Sequence, residues 1–414
     1  MASSADALRR VITSPSRFAQ FKVAVTALAA LALASCSMSA SSLFGDSKAP
    51  PVPVQPAAPQ TVSINTQGIK VALLVPLSGP GDTASVGRAL KQAGELAMFD
   101  SGDPGIVLIT KDTRGNPQGA QAAAQEALNE GAQIILGPLL SSEVQAVQPL
   151  TRQRNVPMIA FSSSSTVAGG GTYLMSFLPE QEVASVTGYA IRQGRKNIAA
   201  MIPKDQYGAT VERGLVEAAR INGGQIVTMT RYARAPTGII DPIKEIAAAV
   251  NDPSKNVQAL LLPEGGDYLR QIGHGLQTAG VTPNRVKTLG TGLWDGPIAR
   301  STPISLGGWY AGVAPQMVTR FEQRYDSTYG STPPRLASLG YDAVSLSISM
   351  AKAPDKQRFS AAQITNPEGF QGVNGLFRFR SDGRIERGLA ILEVTSTGPQ
   401  VVEGAPTRFN GASY

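Results

Sequence analysis

From Ile69 onward one unit recurs: a short unbroken apolar run, a turn-rich loop, then apolar residues at helical spacing. "IKVALLV" runs into the turn cluster "PLSGPGD", and Val86, Ala89, Leu90, Ala93, Leu96 and Ala97 then share one helical face. "GIVLIT" leads to a helix over residues 117–130, "AQIIL" to "SSEVQAVQPLTRQR", and "VPMIAF" to a loop of Ser and Gly. A second series follows. In it "NIAAMI" precedes a helix over 207–222, "QIVTMT" one over 239–250 and "VQALLL" one over 266–279, with "RVKTLG" last. Strands that are apolar on both faces need cover on both faces, so the pattern predicts parallel sheets flanked by helices. About seven or eight such units exceed one sheet of ordinary size, so an α/β fold of two lobes is expected.

The C-terminal part changes character. "VTRFEQRYDSTYG" and "RLASLGYDAVSLSISMAKA" read as two helices. "GLFRFRSDGRIERGLAILEV" alternates around Ser381-Asp382-Gly383, and Asp-Gly between alternating strands signals a hairpin.

Only one cysteine occurs in the 414 residues, Cys36. It follows a 12-residue apolar run, residues 23–34, whose single polar member is Thr26. That run is too short to span a bilayer, which takes roughly 20 residues. With Arg9, Arg10, Arg17 and Lys22 ahead of it, the run fits a secretory signal over residues 1–35. Leu33, Ala34 and Ser35 before Cys36 resemble a bacterial lipobox, in which the cysteine thiol receives a lipid. Residues 36–66 hold five prolines between Pro50 and Pro59 and read as a disordered linker from anchor to body. Without a second thiol, an exported body must be held by its core rather than by disulfides. The formal charge is +7, and the first 35 residues carry four basic groups and one acid, so about +4 stays with the body. It is scattered without a run of five like charges, which argues against a nucleic-acid partner.

Catalytic chemistry is thin. The one histidine, His274, lies in a helical segment between glycines, with no clustered set of metal ligands near it. No serine stands in a G-x-S-x-G elbow, and the glycine stretches match neither a P-loop nor G-x-G-x-x-G. The chain therefore reads as non-enzymatic, with neither metal nor cofactor. What remains are polar loops at the C-terminal ends of strands, where open α/β sheets bind ligands. Ser78 follows the first strand, Ser141 and Ser142 the third, Ser163, Ser164 and Ser165 the fourth, and Tyr207 the first strand of the second lobe. Short hydroxyls and free N–H groups at helix starts suit a carboxylate. Serine at a helix start also serves as a cap.

Several stretches resemble type I periplasmic binding proteins of the leucine/isoleucine/valine-binding family. They are "IKVALLVPLSGPGDTASVGRALKQAGELA", "DTRGNPQGAQAAAQEALNEGAQIILGPLLSSEVQAVQPLTRQRNVPMIAFSSSS", "DQYGATVERGLVEAARINGGQIV", "YDAVSL" and the closing "GFQGVNGLFRFRSDGRIERGLAILEV". The resemblance implies two Rossmann-like lobes joined by three hinge crossovers, closing on a ligand held between them. It assigns the ligand carboxylate to Ser141 or Ser142 and Ser163 to Ser165, and places Tyr207 in the cleft. It offers Glu264 or Asp295 for a ligand amine and Trp294 as an aromatic wall. Amino-acid binders of the family often carry an arginine where this chain has Ser176 in "YLMSF". "LPEGGDYLRQIGHGLQTAG" and "GTGLWDG" are equally similar to penicillin-binding protein activators, outer-membrane lipoproteins that share this fold.

The expected body is residues 67–414, with lobe 1 at about 67–178 and 285–370 and lobe 2 at about 179–284 and 371–405. Two functions follow from the resemblance. One is capture of an amino acid or similar small carboxylate for an ABC permease. The other is contact with a peptidoglycan synthase. Both place the protein in the periplasm on a lipid anchor, with the outer membrane favoured by Ser37 after the cysteine. Cys36→Ser should leave folding intact and release the body from the membrane fraction, read by fractionation and immunoblot. Retention in that fraction would contradict the anchor.

Overall fold

In a computed structural model, which describes residues 68–235 and 237–409, the apolar runs form strands and the amphipathic segments form helices. The expected signal segment, Cys36 and the linker lie outside the described residues. The chain opens with β1 (Ile69–Val75), α1 (Asp82–Ser101), β2 (Ile106–Asp112), α2 (Pro117–Asn129), β3 (Ile134–Leu136), α3 (Ser141–Arg154), β4 (Met158–Ala160), β5 (Thr172–Leu174) and α4 (Pro179–Arg192). It continues through β6 (Asn197–Pro203), α5 (Gln206–Asn222), β7 (Gln225–Tyr232), α6 (Ile240–Asn251), β8 (Ala259–Leu261), α7 (Gly266–Thr278), β9 (Lys287–Gly290), α8 (Pro297–Ser301) and β10 (Trp309–Gly312). The last part holds α9 (Pro315–Tyr329), α10 (Ala337–Ala351), α11 (Ala361–Ile364), β11 (Phe370–Gly372), β12 (Gly375–Phe379), β13 (Ile385–Arg387), β14 (Ala390–Thr395) and β15 (Gly398–Glu403).

The first lobe is built on a parallel sheet of order β2-β1-β3-β4-β5. From Val71 to Val75 every residue of β1 is buried, as a strand covered on both faces requires. Helices α2 and α3 pack together on one side, and α1 and α10 on the other. The second lobe carries the order β15-β14-β10-β9-β8-β6-β7. Its β6 shows the period of two directly. Ile198, Ala200 and Ile202 enter the core beneath α4 and α5, while Ala199 and Met201 enter the core beneath α6 and α7.

Three features differ from the sequence expectation. Strands β9 and β10 belong to the second sheet, so residues 287–312 lie in lobe 2. Residues 315–387 belong to lobe 1. Tyr325 donates to Gln92 Oε1 at 2.6 Å, and Phe377, Phe379 and Ile385 share the core of β1 and β4. The crossovers therefore fall after β5, after β10 and at Gly388. The second sheet is also mixed, because β14 runs antiparallel to β10 and β15 antiparallel to β14. The expected hairpin forms, with Phe379 opposite Ile385 and Gly383 at φ 83°. Its return strand is cut at Gly388, however. Residues before it pair with β12 and residues after it pair with β10. Nothing in a continuous alternating pattern marks a change of sheet.

Lobe 1 depends on close contact between α1 and α10. A Cβ at Gly340 would lie 2.3 Å from the Leu90 carbonyl oxygen, which is helix backbone and cannot swing away. Gly340→Ala should therefore push the helices apart and cost about 1–3 kcal/mol, the usual range for overpacking. A lowered melting temperature in a circular dichroism scan is the expected result.

Candidate functional site

The loops at the C-terminal ends of the strands are each shaped by their own hydrogen bonds. After β1, Asp112 gathers the turn. Its carboxylate accepts from Leu77 N at 2.8 Å, Arg114 N at 2.8 Å and the Ser78 hydroxyl at 2.5 Å. Burial pulls the Asp112 carboxyl up, but the Ser78 hydroxyl and the backbone donors outweigh it and hold it below the usual range. Ser78 is thus spent on the loop.

After β3, Leu140 takes the N-cap position of α3 in an extended conformation. Its N–H donates to Glu143 Oε2 at 3.0 Å. Ser141 and Ser142 are the first two helical residues, and their hydroxyls have no partner among the described residues. Here the capping work falls to Glu143, which leaves both serines open. Glu143 is fully buried and its Oε1 is unpartnered among the described residues. Burial pushes its carboxyl up, against the pull of Thr113 and the backbone donors.

After β4, Ser162 is buried and its hydroxyl accepts from Ser164 N at 3.2 Å. Ser163 is exposed, and Ser165 begins a single 3-10 turn. Ser164 reaches across the gap, accepting from Gln206 Nε2 of α5 at 3.2 Å. That bond sets the serine loop of lobe 1 against the α5 start of lobe 2, next to Tyr207.

On the lobe 2 side Asp205 caps α5 by accepting from Gly208 N at 2.8 Å. The Tyr207 hydroxyl pairs with Thr291 Oγ1 at 3.1 Å, and burial pushes its pKa up. Glu264 is 5% exposed, yet it is not free. Arg234 donates to it through Nε at 3.0 Å and Nη2 at 3.1 Å, and the Tyr232 hydroxyl also donates. Arg234 gives its remaining arm, Nη1, to Asp205. Both Glu264 oxygens, the expected partners of a ligand amine, thus already accept from the forked guanidinium.

Trp294 supports the same loop. It is 1% exposed and packs in the lobe 2 core, donating from Nε1 to the Glu264 carbonyl at 3.0 Å. It anchors the Glu264 loop and borders the cavity that Asp295 also lines. Asp295 is exposed and accepts from the Tyr310 hydroxyl at 3.3 Å. It lines a separate cavity of about 500 Å³ with Tyr310, Glu322 and Arg335, beside the crossovers. Across the lobes the structure joins Ser164 to Gln206, the neighbour of Tyr207, while Asp295 lines the separate cavity. His274 is exposed on α7.

Sequence reasoning missed four residues. Gln206 directly precedes Tyr207, and Arg234 stands two residues past the end of β7, a charged residue near a strand end in plain view. Glu182 and Arg335 gave no such signal. They are 153 positions apart and meet as an ion pair of 2.7 Å between lobes. Glu182 also accepts from Gly292 N at 2.9 Å, and the Arg335 guanidinium lies 3.9 Å from the centre of the Phe177 ring.

Comparison with known proteins bears on this geometry. Residues 68–399 match the family model described as periplasmic binding protein. "Leu/Ile/Val-binding protein homolog 6" of Brucella abortus is 25% identical over 226 residues, covering 51% of this chain and 56% of that protein. "Penicillin-binding protein activator LpoA" of Haemophilus ducreyi is 26% identical over 210 residues, covering 50% of this chain and 34% of that protein. The matches thus span about half of the Brucella relative and a third of the other. Among solved structures, a branched-chain amino acid ABC transporter protein from Rhodospirillum rubrum superposes with a TM-score of 0.71 at 19% identity, covering 81% of this chain and all of that one. A solute binding protein from Rhodopseudomonas palustris, solved with 3,4-dihydroxy benzoic acid, gives 0.63 at 22% identity, covering 84% and 98%. At these identities the structures establish the fold.

Glu143 supplies a pH test. Its folded pKa is raised, so the native state holds its proton more tightly than the unfolded chain does. That contribution is full below the unfolded value and is lost as pH rises through the folded one. Glu143→Gln keeps an acceptor for Leu140 N and carries no charge. Its melting temperature should gain on that of the natural protein as pH rises from about 4 to 7. Parallel pH curves would contradict the assignment.

Proposed function

The chain belongs to the periplasmic binding protein family, and from that premise we propose that it captures a small carboxylate between its lobes for ABC-type import. The family is one of binding proteins rather than enzymes and implies a periplasmic location. One observation carries the proposal: Ser141 and Ser142 stand with unspent hydroxyls at the start of a 14-residue helix. N–H groups at a helix start and short hydroxyls favour an anion. Ser163 and Ser164 would complete the carboxylate contacts, and Tyr207 would cover the ligand from lobe 2.

The pairing of Glu264 with Arg234 narrows the ligand further. With that acid closed, the side with Tyr207 offers little to an α-amine, so an acid without one is the better fit. The benzoic-acid ligand of the Rhodopseudomonas palustris protein is of this kind. A lipid anchor at Cys36, in the outer membrane, belongs to the same proposal. A second reading is regulation of a peptidoglycan synthase by protein contact. The Haemophilus ducreyi relative and the closed Glu264 favour it.

A thermal-shift panel separates the readings. A ligand that binds only the folded protein raises stability by RT ln(1 + [L]/Kd), about 2.7 kcal/mol at a hundredfold excess over Kd. Benzoate and hydroxybenzoates should raise the melting temperature, and Ser141→Ala with Ser163→Ala should abolish the rise. A response to leucine, isoleucine or valine alone would refute the amine-free ligand while keeping solute capture. Silence across both groups would sink solute capture and leave the protein-contact reading.

A further inference from the structure

Two acids stand on the first turn of α4, directly after the first crossover: Glu180 and Glu182. Residues two apart on a helix point about 200° apart, so the two side chains leave on nearly opposite sides. Their surroundings differ. Glu182, in lobe 2, is held by Arg335 of lobe 1 at 2.7 Å and by Gly292 N. Both carboxylate oxygens of Glu180 are sealed from solvent, and neither has a hydrogen-bond partner among the described residues. A sealed carboxylate with no donor is costly, and an arriving donor relieves that cost.

The nearest supply of donors is the β12–β13 hairpin of lobe 1. Glu180 lines a cavity of about 480 Å³ with Arg213 of lobe 2 and with Arg380 and Arg384 of the hairpin. Arg384 is spent on Asp382, at 2.9 Å through Nε and 2.6 Å through Nη2. That hydrogen bond is the main hold on its proton, and the charge of Glu180 adds to it. Asp382 has a second cation in reach, Arg380 at 3.5 Å, so it would not be stranded if Arg384 left. On the other side, Arg335 lines the cavity of about 500 Å³ noted above. The α4 turn therefore stands between two hollows, each walled by both lobes.

We propose that the first turn of α4 is a two-position switch between the lobes. In the position described here Glu182 holds Arg335. In the other, lobe 1 rocks so that the 480 Å³ hollow narrows, Arg384 moves from Asp382 to Glu180, and the Glu182–Arg335 contact opens. The exchange is balanced in charge. Glu182 keeps the Gly292 N–H, Arg335 is already 31% exposed and turns to water, and Asp382 keeps Arg380. Each position thus has an ion pair that the other lacks, which is what a bistable element needs.

Pulsed electron–electron resonance between spin labels tests this on the full chain. Labels go on Gln121→Cys of α2 and Glu245→Cys of α6, both exposed, in a Cys36→Ser background. The natural residues at the switch should give a major interlobe distance and a minor one. Glu182→Gln should raise the minor population roughly tenfold, within the ordinary range of coupling between two states. Glu180→Gln and Arg384→Gln should each remove it. Glu182→Arg combined with Arg335→Glu restores the pair in reverse and should return the starting distribution. It also decides the matter if Glu182→Gln does not fold. One unchanged distance in all variants would overturn the switch, and so would Glu180→Gln raising the minor population. No ligand enters the measurement, so failure here leaves solute capture standing.

Discussion

Burial of parallel strands on both faces is the constraint from which the rest of this structure follows. A strand such as β1, sealed from Val71 to Val75, has no side chain to spare for recognition. Its backbone N–H and C=O groups are consumed by neighbouring strands. Polar chemistry is then confined to the strand ends. Among the parallel strands of each sheet, the carboxyl ends open toward the same side. Ser78, Ser141, Ser163, Tyr207 and Glu264 are the residues found there. Their convergence owes nothing to their separation in sequence.

Charge in that setting is managed by pairing. Glu264, Asp205 and the Tyr232 hydroxyl gather around Arg234, two carboxylates sharing one guanidinium. Glu182 and Arg335 form another, with the guanidinium flat against Phe177. Arg387 shares that ring from 4.8 Å and donates through Nε to the Ser176 carbonyl at 2.9 Å. Burial draws its pKa down to about 10, partly offset by Asp342. The crossovers are thus lined by arginines against one aromatic ring. The serine loops opposite carry no formal charge of their own, which leaves helix N–H groups and hydroxyls to define what they attract.

Much of the fold was legible because strand and helix periods are local. The runs 207–222 and 266–279 were read within one residue of α5 and α7. The crossovers were not, since membership of a sheet is decided by pairing at long range. "RVKTLG" looks alike whether β9 joins the first sheet or the second. At the site, residue types at strand ends were legible but their commitments were not. Glu264 reads as an available acid until Arg234, 30 positions earlier, is seen to hold it. Trp294 reads as an aromatic wall, and nothing local shows that the absence of side chains at Gly290 and Gly308 makes room for its ring in the core. A Cβ at Gly290 would lie 2.1 Å from the indole.

The cut at Gly388 has a consequence for how the molecule is made. Lobe 1 needs residues up to Arg387 to finish its core, and lobe 2 needs β14 and β15, which end at Glu403. Neither lobe is a continuous stretch of chain. Lobe 1 must hold a loop open from Leu174 to Pro315, and lobe 2 one from Gly312 to Ala390, and contacts of such separation form slowly. A growing chain of this topology has no lobe that can lock early.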